Sequence, residues 1–166
     1  DGMFDVSNAD CFDVDSRMSL LMGAHFSGCA INITRTTAGH ALSYGLTKKL
    51  GIPHGLAVLA VMQFLVRIMD KKYSFFSNGF SILFKGGDHP KSFPRTFDEY
   101  CESVWEAVDI ARFFTQEKKA SNNMVDELTN SVNIERLMNH PIRLKTDDIK
   151  YVYQNIFDRH KESTEI

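Results

Sequence analysis

Apolar residues recur at helical spacing through most of the chain, and period-two alternation is almost absent. From Ser16, the positions Met18, Leu21, Met22, Phe26, Cys29, Ala30 and Ile33 form a stripe that predicts a first helix to about Ile33. Ser16, following Asp15, is the expected N-cap. The stripe makes Cys29 a small buried hydrophobe. Thr36 and Thr37 precede residues 38–44, which predicts a second helix with a threonine cap and with His40 and Tyr44 on one face, four residues apart. Gly45, Gly51 and Pro53 mark its end. Residues 55–69 are apolar except at Gln63 and Arg67, which predicts a central helix buried on every side.

The second half has the same period. Residues 73–94 are aromatic and glycine-rich, and Asn78-Gly79 and Gly86-Gly87-Asp88 predict turns in a hairpin or an irregular lid. Thr96-Phe97-Asp98-Glu99 is a capping box ahead of a helix that carries Tyr100, Val104, Trp105, Val108, Ile110 and Ala111. Two shorter helices follow over 123–132 and 134–139, parted near Asn133, and Pro141 closes the second. Thr146 is the expected cap of a last helix that turns Ile149, Val152, Tyr153, Ile156 and Phe157 inward, with Asp147 and Asp148 at its positive end. The fold class predicted is an all-α bundle of six or seven helices. Its organisation is an acidic N-terminal segment or linker over 1–15 and one helical domain over 16–166.

Composition narrows the function. Hydrophobic residues make up 43% and charged residues 24%, as in ordinary soluble globular domains. A net charge of −2 with both signs interspersed gives no basic face for nucleic acid or an anionic membrane, and no apolar run reaches the length of a membrane span. Cys11, Cys29 and Cys101 show no CxxC pairing and no secreted disulfide pattern, which points to a reducing cytoplasm. The opening acidic stretch lacks a signal peptide and starts abruptly, so a further segment is expected before it.

Two histidines, fourteen positions apart, carry the chemistry: His40 in the second predicted helix and His54 directly after Pro53. A straight helix from residue 40 to 50 would move the chain on the order of 15 Å. For both imidazoles to reach one ion, the chain is expected to leave the helix near residues 45–47 and return through Gly51 and Pro53. His54 would then stand on the first turn of the central helix, with Gly55 permitting close approach. Spacing alone suits a core histidine and a helix cap better than a metal site.

The residues around the pair add a resemblance. Ala38-Gly39-His40-Ala41-Leu42-Ser43-Tyr44, followed by Gly51-Ile52-Pro53-His54-Gly55, resembles the signature of the iron-containing alcohol dehydrogenases. The resemblance implies a helical C-terminal domain in which His40 and His54 hold a divalent metal, iron or zinc. It also implies that Tyr44 replaces a family histidine near the substrate and so stands at a catalytic position. Residues 31–38 and the tail over 131–144 are similar to the branch that reduces phosphonoacetaldehyde, which implies a small anionic aldehyde as substrate and NAD(P) as cofactor. Arg35, Thr36 and Thr37 at a helix N-terminus would suit such an anion; equally, a threonine there is a plain N-cap and Arg35 a solvated charge.

Two family features have no counterpart in this sequence. One is the Rossmann-like domain with its Gly-Gly-Gly-Ser turn, which would bind most of the NAD(P); Gly86-Gly87-Asp88 is no substitute. The other is the Asp-x-x-x-His helix of the remaining metal ligands, a pattern that Asp15 and His25 do not match. Two ligands predict weak metal binding and an inactive isolated chain. Hence a rival reading stands beside the first, a non-catalytic helical domain, with a dehydroquinate synthase or glycerol dehydrogenase type of enzyme as a third. The apolar central helix, lacking its usual cover, predicts self-association. His89, His140 and His160 are expected on the surface, Trp105 in the core.

Overall fold

A computed structural model describes residues 14–73, 94, 96–108 and 122–164, without the side chains of Ser16, Asn122 and residues 160–164. The acidic stretch before Val14, the turn signals between 74 and 93 and His89 lie outside the described residues. Seven helices and no strand occur among those described: α1 (Val14–Thr34), α2 (Ala38–Leu50), α3 (His54–Lys72), α4 (Phe97–Ala107), α5 (Asn122–Asn130), α6 (Ile134–Leu137) and α7 (Thr146–Thr164). This is the all-α class the periodicity predicts. The chain forms two compact units, Asp1–Thr36 and Thr37–Ile166.

In the first unit, α1 begins at Val14, so Ser16 lies inside the helix rather than capping it. The stripe predicted to be buried is exposed at Met18, Leu21, Met22, Phe26 and Ile33, and Cys29 is exposed too. A helix hides an apolar stripe only against another element, and no second helix is described within this unit. Arg35 ends α1 in the left-handed conformation, φ 62°, its N–H donating to the Ile31 carbonyl at 2.8 Å. A side chain in that region costs about 1 kcal/mol, so Arg35 closes α1 and does not open α2.

In the second unit, α2 runs unbroken to Leu50 and ends at Gly51, φ 72°, whose N–H reaches the Thr47 carbonyl at 3.0 Å. The break expected near residues 45–47 does not exist. Gly45 instead allows close approach: a Cβ there would lie 2.8 Å from Leu128 of α5 and 3.6 Å from the Tyr153 hydroxyl of α7. Leu42 and Leu46 of α2, Val61 and Leu65 of α3, Leu128 of α5 and Tyr153 and Ile156 of α7 build one core. The all-round burial expected for α3 is reduced to a broad face, since Val58, Leu59 and Met62 are only half-buried.

The caps explain the other boundaries. Thr96 Oγ1 accepts the Glu99 N–H at 3.1 Å, the cap box as predicted, although α4 ends at Ala107 and residues 109–121 lie outside those described. Asn133 Oδ1 accepts the Glu135 N–H at 2.9 Å and starts α6, a single turn shorter than expected. Thr146 is the first residue of α7 rather than its cap; the Asp148 carboxylate accepts the Lys145 N–H at 2.7 Å and closes that end. The inward residues of α7 are those predicted.

The two polar interruptions of α3 are used. Gln63 is buried and donates to Glu102 Oε1 of α4 at 2.8 Å, and Arg159 of α7 donates to both Gln63 and Glu102. The Arg159 guanidinium also covers the buried Trp105 ring at 4.3 Å. Arg67 pairs with Asp98 at 3.0 Å. These contacts satisfy polar atoms that would otherwise be costly to bury.

Candidate functional site

His40 and His54 meet although α2 is unbroken. His40 stands in the first turn of α2 and His54 is the first residue of α3, and the link Gly51-Ile52-Pro53 with the two side chains closes the gap. Their ring centres are 5.3 Å apart and the planes are inclined by 60°. Tyr44, one turn after His40, stacks on His54 with ring centres 5.1 Å apart and planes within 20°. Arg136 of α6 lies over the Tyr44 ring, its guanidinium carbon 4.7 Å from the ring centre. Four side chains from three helices therefore form one contiguous cluster, face to face at Tyr44 and His54 and edge-on at His40 and His54.

Their backbone is fixed from behind. Ser43 is buried and its hydroxyl donates to the His40 carbonyl at 2.9 Å. Tyr153, fully buried on α7, donates to the Leu42 carbonyl at 2.8 Å. Gly39 lets α3 pass close: a Cβ there would lie 2.7 Å from Met62 Sδ. Beside His54 no protein atom approaches Gly55: a Cβ there would meet nothing within 4 Å.

His40 is held below its ordinary pKa, first by burial and then by the neighbouring His54. Both effects favour the neutral imidazole, which is the form that binds a metal. Two imidazoles on one tetrahedral ion have ring centres roughly 5 Å apart, which the observed separation matches. The donor set is incomplete on its own, since no group of three or more His, Cys, Asp or Glu side chains able to hold a metal occurs among the described residues. The residues thus fit a metal as a pair of imidazole ligands and no more.

The other predicted site residues are distributed differently. Arg35 and Thr36 belong to the first unit. Thr37 occupies the cap position of α2, yet its side chain makes no capping bond; its carbonyl accepts the N–H groups of His40 and Ala41 at 3.2 and 3.3 Å. Cys29 Sγ lies 3.7 Å from His25 Nε2 on α1. His140, expected on the surface, is half-buried with both ring nitrogens shielded, in a hollow it shares with Leu137, Leu144 and Ile149, and burial lowers its pKa. Cys101 is buried and its thiol is pushed up to about 12, first by burial and then by Asp98, which leaves it a poor nucleophile. Arg136 is the site residue that sequence reasoning missed as a functional group; the signal was an arginine three residues after the cap residue Asn133, inside the tail that carries the resemblance.

The model of the Fe-containing alcohol dehydrogenase family, C-terminal, matches residues 5–157, and the chain belongs to this family. Phosphonoacetaldehyde reductase from Streptomyces viridochromogenes is 41% identical over 58 residues, which is 35% of this chain and 15% of that protein. The match thus spans under a fifth of the length of that curated relative. No solved structure matches. Among the described residues, no helix is long and apolar enough to cross a membrane.

Proposed function

We propose that this chain supplies two ligands, His40 and His54, of the divalent metal site of an oxidoreductase that reduces a small anionic aldehyde of the phosphonoacetaldehyde kind. The observation that carries the reading is the 5.3 Å approach of the two imidazoles within a family described as Fe-containing. When bound, the metal, iron or zinc, polarises a carbonyl oxygen as a Lewis acid and NAD(P)H supplies hydride. This chain's residues do the positioning. His40, whose neutral form burial favours, and His54, stacked on the Tyr44 ring, would be the two imidazole ligands. Tyr44 stands where the family carries a further histidine, and its hydroxyl is the hydrogen-bonding group offered beside the metal ligands. The cofactor is held chiefly by another part of the protein, and the expected setting is the cytoplasm, with self-association through uncovered apolar surface.

Zinc titration of the chain, read as thermal stability, tests this. A site present only in the folded state raises the melting temperature as metal is added, and His40→Ala and His54→Ala each remove that rise. No rise up to millimolar zinc, or a rise that ignores both substitutions, rejects the reading in favour of a non-catalytic helical domain. That second reading draws on the absence of a third ligand among the described residues.

A further inference from the structure

The stack of His40, His54, Tyr44 and Arg136 has a free end. The Arg136 guanidinium carbon is 4.7 Å from the Tyr44 ring centre, a cation–π contact that consumes none of its five N–H donors. Arg136 is exposed, and no carboxylate among the described residues pairs with it. That distinguishes it from Lys49, Arg67, Lys150 and Arg159, each of which is paired with an acidic side chain. Two stacked steps of 4.7 and 5.1 Å keep the guanidinium carbon within about 10 Å of the His54 ring centre. A small molecule can therefore engage the histidines at one end and Arg136 at the other.

We propose that Arg136 is the specificity-determining residue that receives the anionic end of the substrate, a phosphonate or carboxylate, at the site formed with Tyr44 and His54. The proposal rests on the function proposed above and adds the anchor for the charge. Arginine suits the task because its planar fork matches two oxygens of one anion, whereas lysine offers a single point charge. Tyr44 acts as a positioning residue: its ring holds the guanidinium beside His54 before the anion arrives. Arg35, the alternative anchor, closes α1 and belongs to the other unit.

The test is a titration of methylphosphonate with the intact chain, followed by ³¹P NMR, with zinc uptake measured on the same samples. Arg136→Gln should weaken methylphosphonate binding at least tenfold, Arg136→Lys less, and Arg35→Gln not at all, while zinc uptake stays at the wild-type level in all three. Unchanged affinity in Arg136→Gln, loss in Arg35→Gln, or no binding by the wild type overturns the proposal. The two readings fail separately. Anion binding through Arg136 without zinc uptake removes the metal site and leaves the anion anchor; zinc uptake through the histidines with anion binding indifferent to Arg136 removes the anchor alone.

Discussion

Two polar clusters sit in the same helical unit and differ in what they leave unanswered. Around Gln63, Glu102 and Arg159, amide, carboxylate and guanidinium answer one another, and Trp105 is covered by the guanidinium. Around His40, His54, Tyr44 and Arg136 the contacts are ring faces, and neither imidazole is hydrogen-bonded among the described residues. The first cluster spends its polar capacity on holding α3, α4 and α7 together. The second keeps its lone pairs and N–H edges in reserve, as a binding site must. Closed hydrogen bonding leaves the first cluster nothing to bind with, whereas the unspent capacity of the second is what the proposed site requires.

The contrast can be attacked from both ends. Arg159→Ala should cost the most, about 2 kcal/mol by denaturant unfolding, because it leaves the buried Gln63 amide oxygen without a donor and takes one partner from Glu102; a cost below about 0.5 kcal/mol would erase the structural character of that cluster. His54→Ala should change metal-free stability by less than about 1 kcal/mol, as expected of a half-buried ring without hydrogen bonds. A larger loss would make the histidine corner a structural element after all. The smallest effect concerns His140, which belongs to neither cluster. Its folded pKa lies below the ordinary 6.5, so the unfolded chain binds the proton more readily. Its contribution is complete above that ordinary value and lost as pH falls through the lower folded one. His140→Gln should flatten the decline in melting temperature on the acid side of pH 6.5, and an unaltered slope would place the titration elsewhere.

Much of this architecture is legible from residue order. The stripe of α7, the cap box at Thr96 and the break at Asn133 follow from local rules, and the structure repeats them. Local rules fail where a distant segment decides. Gly45 reads as a helix end, but it is a contact point for Leu128 and Tyr153, more than eighty residues further on. Cys29 reads as core because its stripe is apolar, yet a stripe is buried only when a neighbour is present. Within the site, the histidine pair is visible as a motif, whereas Arg136 reaches Tyr44 only through the packing of α6 near α2. His140 reads as a solvated loop residue because burial of a single turn residue leaves no periodic trace.

The bond from the Tyr153 hydroxyl to the Leu42 carbonyl ties the backbone beside His40 to a segment 111 residues later in the chain. During synthesis from the N-terminus, that segment leaves the ribosome long after both histidines have done so. The backbone beside His40 therefore lacks this one brace until translation has delivered α7. A messenger cut short before Tyr153 would yield a polypeptide that contains every residue of the stack and lacks the clamp that holds it in register.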